Sequence, residues 1–236
     1  MGVNPMKTNT EADVRTDTAI KVMALFFVAI IFLALTTDPI KVGTKEGDRA
    51  PMLEGKAYNG SSWYEFDMDS YLTKNWTAGD ADGEWMVVEF MDTDCPFCVR
   101  SADDMGYDAE YFMKLRTSHQ TNPGMGPWDG PIVNFIASAT ELDIPGHETS
   151  RDEIVAFRDK SGEEVCADSA CAERAGGAHR FVYIDDIDQD NMKEWKVPGT
   201  PAYFLIQPDG IVAWTSTENT QETVFEAIMR ITPQEA

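Results

Sequence analysis

Cys95 and Cys98, in "MDTDCPFCVR", stand three residues apart, directly after the apolar run "WMVVEFM" (85–91) and directly before a helix-like pattern. Thiols at this spacing can hold a metal, staple a fold or pass electrons. Zinc would need further ligands, and no second C-x-x-C or histidine pair accompanies these two. Haem attachment would need a histidine after Cys98, where Val99 stands. A helix beginning after Cys95 accounts for the spacing. Pro96 suits the first helical position, where its missing N–H costs nothing, and Cys95 becomes the N-cap with its sulfur facing unpaired amides. Those amides and the helix dipole favour a thiolate. The outer sulfur is then a nucleophile, and Cys98, one turn in and shielded, can attack a mixed disulfide.

Glu89 is the one carboxylate in that apolar run, six residues before Cys95. A lone buried carboxyl holds its proton to unusually high pH, which suits it to take the proton from Cys98; the alternative is a strand-edge glutamate that reaches water. Asp92, Asp94, Asp103 and Asp104 crowd the pair with negative charge. They are predicted to raise the Cys95 pKa against the dipole, which argues against a very strong oxidant.

Elsewhere, chemistry-bearing residues point to structural roles. Cys166 and Cys171, in "SGEEVCADSACAERAGG", suit a disulfide closing a short loop, with a second redox relay as the alternative; a metal site with His179 lacks enough ligands. His119, His147 and His179 fall in polar segments and form no evident catalytic pair. "DDIDQDNMKEWKV" imitates a calcium loop at Asp186, Asp188 and Asp190 but has Asn191 and Val197 where glycine and glutamate are required. "GMGPWDG" lacks the strand-glycine-helix context of a nucleotide fingerprint. Asn59 and Asn75 head glycosylation-type tripeptides, a pattern with many false positives. No metal site is expected.

The elements that must position the cysteines read as follows. Residues 85–91 form a buried strand, and the next helix turns Cys98, Ala102, Met105, Ala109 and Phe112 inward at spacings of three or four. A Gly/Pro loop, "TNPGMGPWDGP", leads to a strand at 132–138 and a helix at 150–160 whose Ser150 and Glu153 form a capping box. A strand "RFVYID", a short helix "NMKEWK" and two strands joined at "QPDG" follow. The closing helix is expected after Asn219, capped with Glu222. Mixed strands and helices around one core define an α/β domain.

The N-terminal region is different in kind. "AIKVMALFFVAIIFLALTT" contains an unbroken apolar run from Val22 to Leu35, and with its flanks it spans about 20 residues, enough for one bilayer crossing. Residues 1–18 read as a disordered tail, 19–37 as a transmembrane anchor, 38–46 as a linker and 47–232 as the α/β domain. A cleaved signal peptide and secretion is the alternative. Arg15 and Lys21 precede the span while Lys41, Lys45 and Arg49 follow it, so charge does not set the orientation. The Cys166 and Cys171 pair leans the domain outside the cytoplasm. With 19 basic against 41 acidic residues, a net charge of −22 repels nucleic acid and marks a solvated surface.

"GDRAPMLEGKAYNGSSW", "VVEFMDTDCPFC" and "WKVPGTPAYFLIQPDGIVAW" resemble, in order, the opening hairpin, the active-site strand with its C-x-x-C, and the cis-proline strand pair of membrane-anchored thioredoxin-like thiol-disulfide oxidoreductases of the redoxin and TlpA-like group. The resemblance implies a thioredoxin-like fold, a mixed central sheet flanked by helices. It makes Cys95 the attacking thiol, Cys98 the resolving thiol and Glu89 the buried acid. Pro201 would be the cis-proline facing the sulfurs, with Thr200 offering backbone groups to an extended peptide. The implied partners are protein disulfides or dithiols and an electron donor or acceptor, with no cofactor. Two departures stand out: the dipeptide between the cysteines is Pro-Phe, and Gly162 to His179 looks like an insertion. Thr200 and the acidic surroundings lean toward reduction or isomerisation. A thiol peroxidase would want Thr or Ser where Asp92 stands, and a non-catalytic peptide-binding or assembly module is the rival from another class.

Overall fold

The computed structural model describes residues 10–36, 40–80, 83–115, 126–166 and 170–233. His119, the first half of the Gly/Pro loop, residues 1–9 of the expected tail and residues 37–39 at the junction of anchor and linker lie outside the described residues.

The chain divides into two units, 1–40 and 41–236. In the first, helix α1 (Thr10–Thr36) starts inside the segment expected to be a tail and contains a stretch, Thr16–Leu33, with mean hydropathy 2.0 and no buried share. A helix rises about 1.5 Å per residue, so α1 is long and apolar enough to cross a bilayer. The second unit begins before the expected boundary: Arg49 N–H donates to Lys41 O (2.8 Å) and Gly43 N–H to Arg49 O (2.9 Å), so residues 41–46 belong to the folded domain, not to a free linker.

The domain is built on one seven-stranded mixed sheet. Its strands are β1 (Lys56–Tyr58), β2 (Trp63–Glu65), β3 (Trp85–Met91), β4 (Val133–Thr140), β5 (Val182–Asp186), β6 (Ala202–Ile206) and β7 (Val212–Thr215), in spatial order β2-β1-β5-β4-β3-β6-β7. β3, β4 and β5 run parallel, while β6, β7 and the β1–β2 hairpin run antiparallel to their neighbours. Parallel strands need crossovers, supplied by α2 (Pro96–Phe112) after β3 and α3 (Arg151–Asp159) after β4. α4 (Asp190–Glu194) follows β5, and α5 (Val224–Ile231) closes the chain.

β3 is buried along its whole length, and its side chains alternate between two cores. Val87 and Met91 pack with Cys98, Ala102, Met105 and Phe112 of α2, and with Phe157 and Ile228 of the other two helices on that face. Met86, Val88 and Phe90 meet the opposite core, where Trp195 lies against Phe90 (5.3 Å between ring centroids) and Phe204 (5.1 Å). Glu89 has the parity of Val87 and Met91, and therefore points toward the cysteine helix.

The Ser150–Glu153 capping box is present at the start of α3. The closing helix differs from expectation: its cap is Thr223 with Glu226, and Glu222 instead makes a two-pronged bond to Arg230 at 2.7 Å per contact. Asn219 is held in the preceding turn, its Nδ2 donating to Glu46 and to Thr215 O. The calcium-like segment has a structural explanation. Asp186 caps the α4 turn, accepting from the amides of Asn191 (2.8 Å) and Met192 (3.0 Å) and from Ser138 Oγ (3.2 Å).

Candidate active site

Cys95 is the N-cap of α2 with Pro96 at the first helical position, so the strand-to-helix junction places both sulfurs at one end of β3. They are free thiols. Cys95 Sγ donates to the carbonyl oxygen of Thr200 at 3.5 Å, and the Thr200–Pro201 peptide bond is cis. Two loops distant in sequence thus meet at the cysteine pair. The Thr200 Oγ1 is buried without a hydrogen-bond partner.

The two thiols differ sharply. Cys95 is held down at about 5 from an ordinary value of 9.0; the Cys98 thiol beside it contributes most, burial opposes, and the amides of Cys98 and Phe97 add to the effect. Cys98 is pushed well above its ordinary value, chiefly by burial and then by the neighbouring Cys95. The expected raising of Cys95 by its aspartates is therefore overturned. Asp92 is fully buried and turned away, accepting from the amides of Asp94 (2.7 Å) and Leu142 (2.9 Å) and pairing with His147 Nδ1 (2.6 Å). Asp94 accepts from the Glu148 amide (3.0 Å). Both carboxylates tie the 142–149 loop to the cysteine turn through hydrogen bonds from donors there, while Asp94 Oδ1 is buried without a partner. Sequence reasoning missed this partnership because the donors are backbone amides some fifty positions downstream.

Exposure also departs from expectation. Cys95 is only 4% exposed and Cys98 1%, while Phe97 between them is 63% exposed, its ring under the Arg100 guanidinium at 4.5 Å. The outer sulfur lies just beneath the surface rather than on it.

Beneath the thiols lies a polar cluster. Glu89 is 4% exposed, and burial pushes it up to about 7, opposed by a hydrogen bond from Tyr203 and by the charge of Arg174. The Tyr203 hydroxyl also lies within hydrogen-bond distance of Ser101 Oγ (2.9 Å) on α2. His179, expected in a polar loop, is buried. Its Nε2 donates to Ala102 O (2.8 Å), its Nδ1 meets the Tyr183 hydroxyl (2.6 Å), and burial drives it down to about 3, so it is neutral. Gly106 makes this approach possible: a Cβ there would come within 3.0 Å of the His179 ring. A helix-interior glycine costs about 1 kcal/mol relative to alanine, and here it admits the ring. Cys166 and Cys171 are joined in a disulfide, with Cα atoms 5.4 Å apart.

No protein-family model matches the chain, and no curated protein does. Solved structures similar to it include a reduced 2-Cys peroxiredoxin of Plasmodium vivax (16% identity, 75% of this chain and 72% of that one, TM-score 0.46). A secreted Mycobacterium tuberculosis disulfide oxidoreductase homologous to E. coli DsbE is similar at 20% identity, over 66% of this chain and 78% of that one, with TM-score 0.36. A putative thiol:disulfide interchange protein DsbE from Chlorobium tepidum is similar at 13% identity, over 73% and 85%, with TM-score 0.41. The chain's own topology is a thioredoxin-like arrangement: a parallel core continued by an antiparallel pair, with the cysteine helix leaving the interior strand β3 opposite a cis-proline turn.

Proposed function

We propose that this protein is a thiol-disulfide oxidoreductase that exchanges disulfides with protein partners through Cys95 and Cys98. The observation that carries the reading is the geometry of the pair: Cys95 caps the start of α2 against the Thr200 carbonyl before Pro201, and Cys98 is buried one turn deeper. The Cys95 thiolate attacks a partner disulfide, forming a mixed disulfide and releasing one partner thiolate. Glu89 then accepts the Cys98 proton, and Cys98 attacks Cys95 Sγ. The bond from Cys95 to the partner breaks, the Cys95–Cys98 disulfide forms, and the second partner thiolate leaves, so the partner gains the two electrons the protein gives up. The Thr200 carbonyl beside the sulfur and the exposed Phe97 offer backbone and apolar contacts to an extended chain.

Of the two directions expected from sequence, the steps above carried to the end reduce the partner, whereas isomerisation uses the first step and then a partner thiolate that displaces Cys95 from the mixed disulfide; the second suits a dithiol with a stabilised thiolate. The charge argument for a reductase falls with the aspartates, since stabilising the dithiol makes the disulfide form more oxidising. We place the domain outside the cytoplasm, anchored by α1, because a closed Cys166–Cys171 loop belongs in an oxidising compartment.

Trapping tests the reading. Full-length Cys98→Ser protein mixed with a disulfide-bonded peptide is expected to accumulate a mixed disulfide at Cys95 that the wild type resolves. Absence of any adduct at Cys95 would remove the enzymatic reading and leave a peptide-binding module.

A further inference from the structure

Asp92 is fully buried, and both of its carboxylate oxygens are occupied. Oδ1 accepts from the Asp94 amide (2.7 Å) and the Thr149 hydroxyl (3.3 Å), while Oδ2 accepts from the Leu142 amide (2.9 Å) and pairs with His147 Nδ1 (2.6 Å). The hydroxyl of Thr93, also fully buried, lies 3.0 Å from that of Thr149. Since the Thr149 proton goes to Asp92, Thr93 is the donor of that pair. A carboxylate taken wholly out of water is costly unless its lone pairs are used, and the 142–149 loop supplies most of the partners.

These bonds act at the start of the cysteine turn. The Asp92 carbonyl accepts from the Cys95 amide (3.1 Å), and its side chain holds the Asp94 amide, so backbone and side chain of one residue close the 92–95 turn. That turn leaves Cys95 at the cap of α2, where its sulfur meets the Thr200 carbonyl at 3.5 Å. β3 and β4 are parallel neighbours, in register up to Met91 and Ala139, so the cysteine turn and the 142–149 loop leave the same edge of the sheet. An apolar side chain at position 92 could fill the space but would strip the Asp94 and Leu142 amides of their acceptor.

We propose that Asp92 is a positioning residue for the exchange reaction: clamped by the 142–149 loop, its carboxylate fixes the turn that sets the Cys95 sulfur against the Thr200 carbonyl. The proposal rests on the exchange reading, but its test does not need turnover. The pH dependence of Cys95 alkylation by iodoacetamide is followed in the full-length reduced protein, with thermal unfolding as the control for folding. Around the sulfur stand the Cys98 thiol and the Cys98 and Phe97 amides on α2 and the Thr200 carbonyl before β6, with Asp94 in the turn and Arg100 over the Phe97 ring. The variants leave all of these unaltered. Loss of a neighbouring anion by itself lowers the midpoint of a thiol, so charge and position predict opposite signs. From a wild-type midpoint near 5, Asp92→Ala is expected to rise by about one pH unit, a tenfold gain in proton affinity. Asp92→Asn, which keeps an acceptor for the Asp94 amide, returns the midpoint to the wild-type value or below it. Thr149→Val, uncharged and of similar shape, removes one donor to Asp92 and the partner of Thr93, and raises the midpoint by about half a pH unit, roughly threefold. An unchanged or lowered midpoint in folded Asp92→Ala, or in Thr149→Val where the alanine variant does not fold, overturns the proposal, as does an equal rise in Asp92→Asn. Should the midpoints move as stated while wild-type protein forms no mixed disulfide with a partner, the exchange reading falls and the positioning of Cys95 stands.

Discussion

Disulfide exchange by the full-length Cys95→Ser protein is expected to fall to background, a loss of at least about 10³-fold. Serine keeps the shape of the helix start but replaces a sulfur held at about 5 with a hydroxyl that does not ionise near neutral pH and cannot form a disulfide. Cys98 cannot substitute, because it is 1% exposed and burial keeps it protonated. Insulin reduction with a dithiol donor measures the loss, with thermal unfolding of both proteins as the control for folding. Equal turnover in the two would make Cys95 a structural residue and end the enzymatic account.

Glu89→Gln is expected to change stability and rate together. In the wild type the folded chain keeps the Glu89 proton up to about 7, whereas the unfolded chain releases it near 4.5. Between those values the folded state binds more protons, so stability falls as pH rises, and above 7 the buried charge costs roughly 3 kcal/mol. Glutamine removes that cost without emptying the site. The two proteins should therefore unfold at similar denaturant concentrations below pH 4.5, diverge as pH rises from 4.5 to about 7 and stay apart by a constant amount above it, the variant being the more stable. The contribution of His179 is common to both and cancels in the difference, and burial keeps both tyrosines protonated across this window. Resolution of the mixed disulfide should slow by about 10²-fold or more, because the proton acceptor for Cys98 is gone. Parallel pH-stability curves for the two proteins would place the carboxyl in contact with water and remove its assigned role.

The parts of the molecule legible in sequence are those set by local rules. Strand β3, the inward face of α2, Cys95 as cap with Pro96 after it, and the Ser150–Glu153 box each follow from patterning within a few residues. What sequence could not supply came from contacts between distant segments. The acidic residues beside Cys95 read as destabilising because their donors, the amides of Leu142 and Glu148, carry no side-chain signature. His179 read as a residue of a polar segment because nothing local shows that the insertion folds inward. The α5 cap was misplaced because two acid-containing turns, at Glu222 and Glu226, lie close together and only one meets a helix start. Gly106 was a legible hint, since a glycine inside a helix invites the question of what approaches it.

The central claim is that Cys95 is a stabilised thiolate above a protonated Cys98. Its most direct test is the pH dependence of iodoacetamide alkylation of the reduced full-length protein, with the modified residue identified by mass. The account expects modification at Cys95 with a rate that titrates near pH 5. A midpoint at the ordinary thiol value of 9.0, or modification of Cys98 ahead of Cys95, would contradict it.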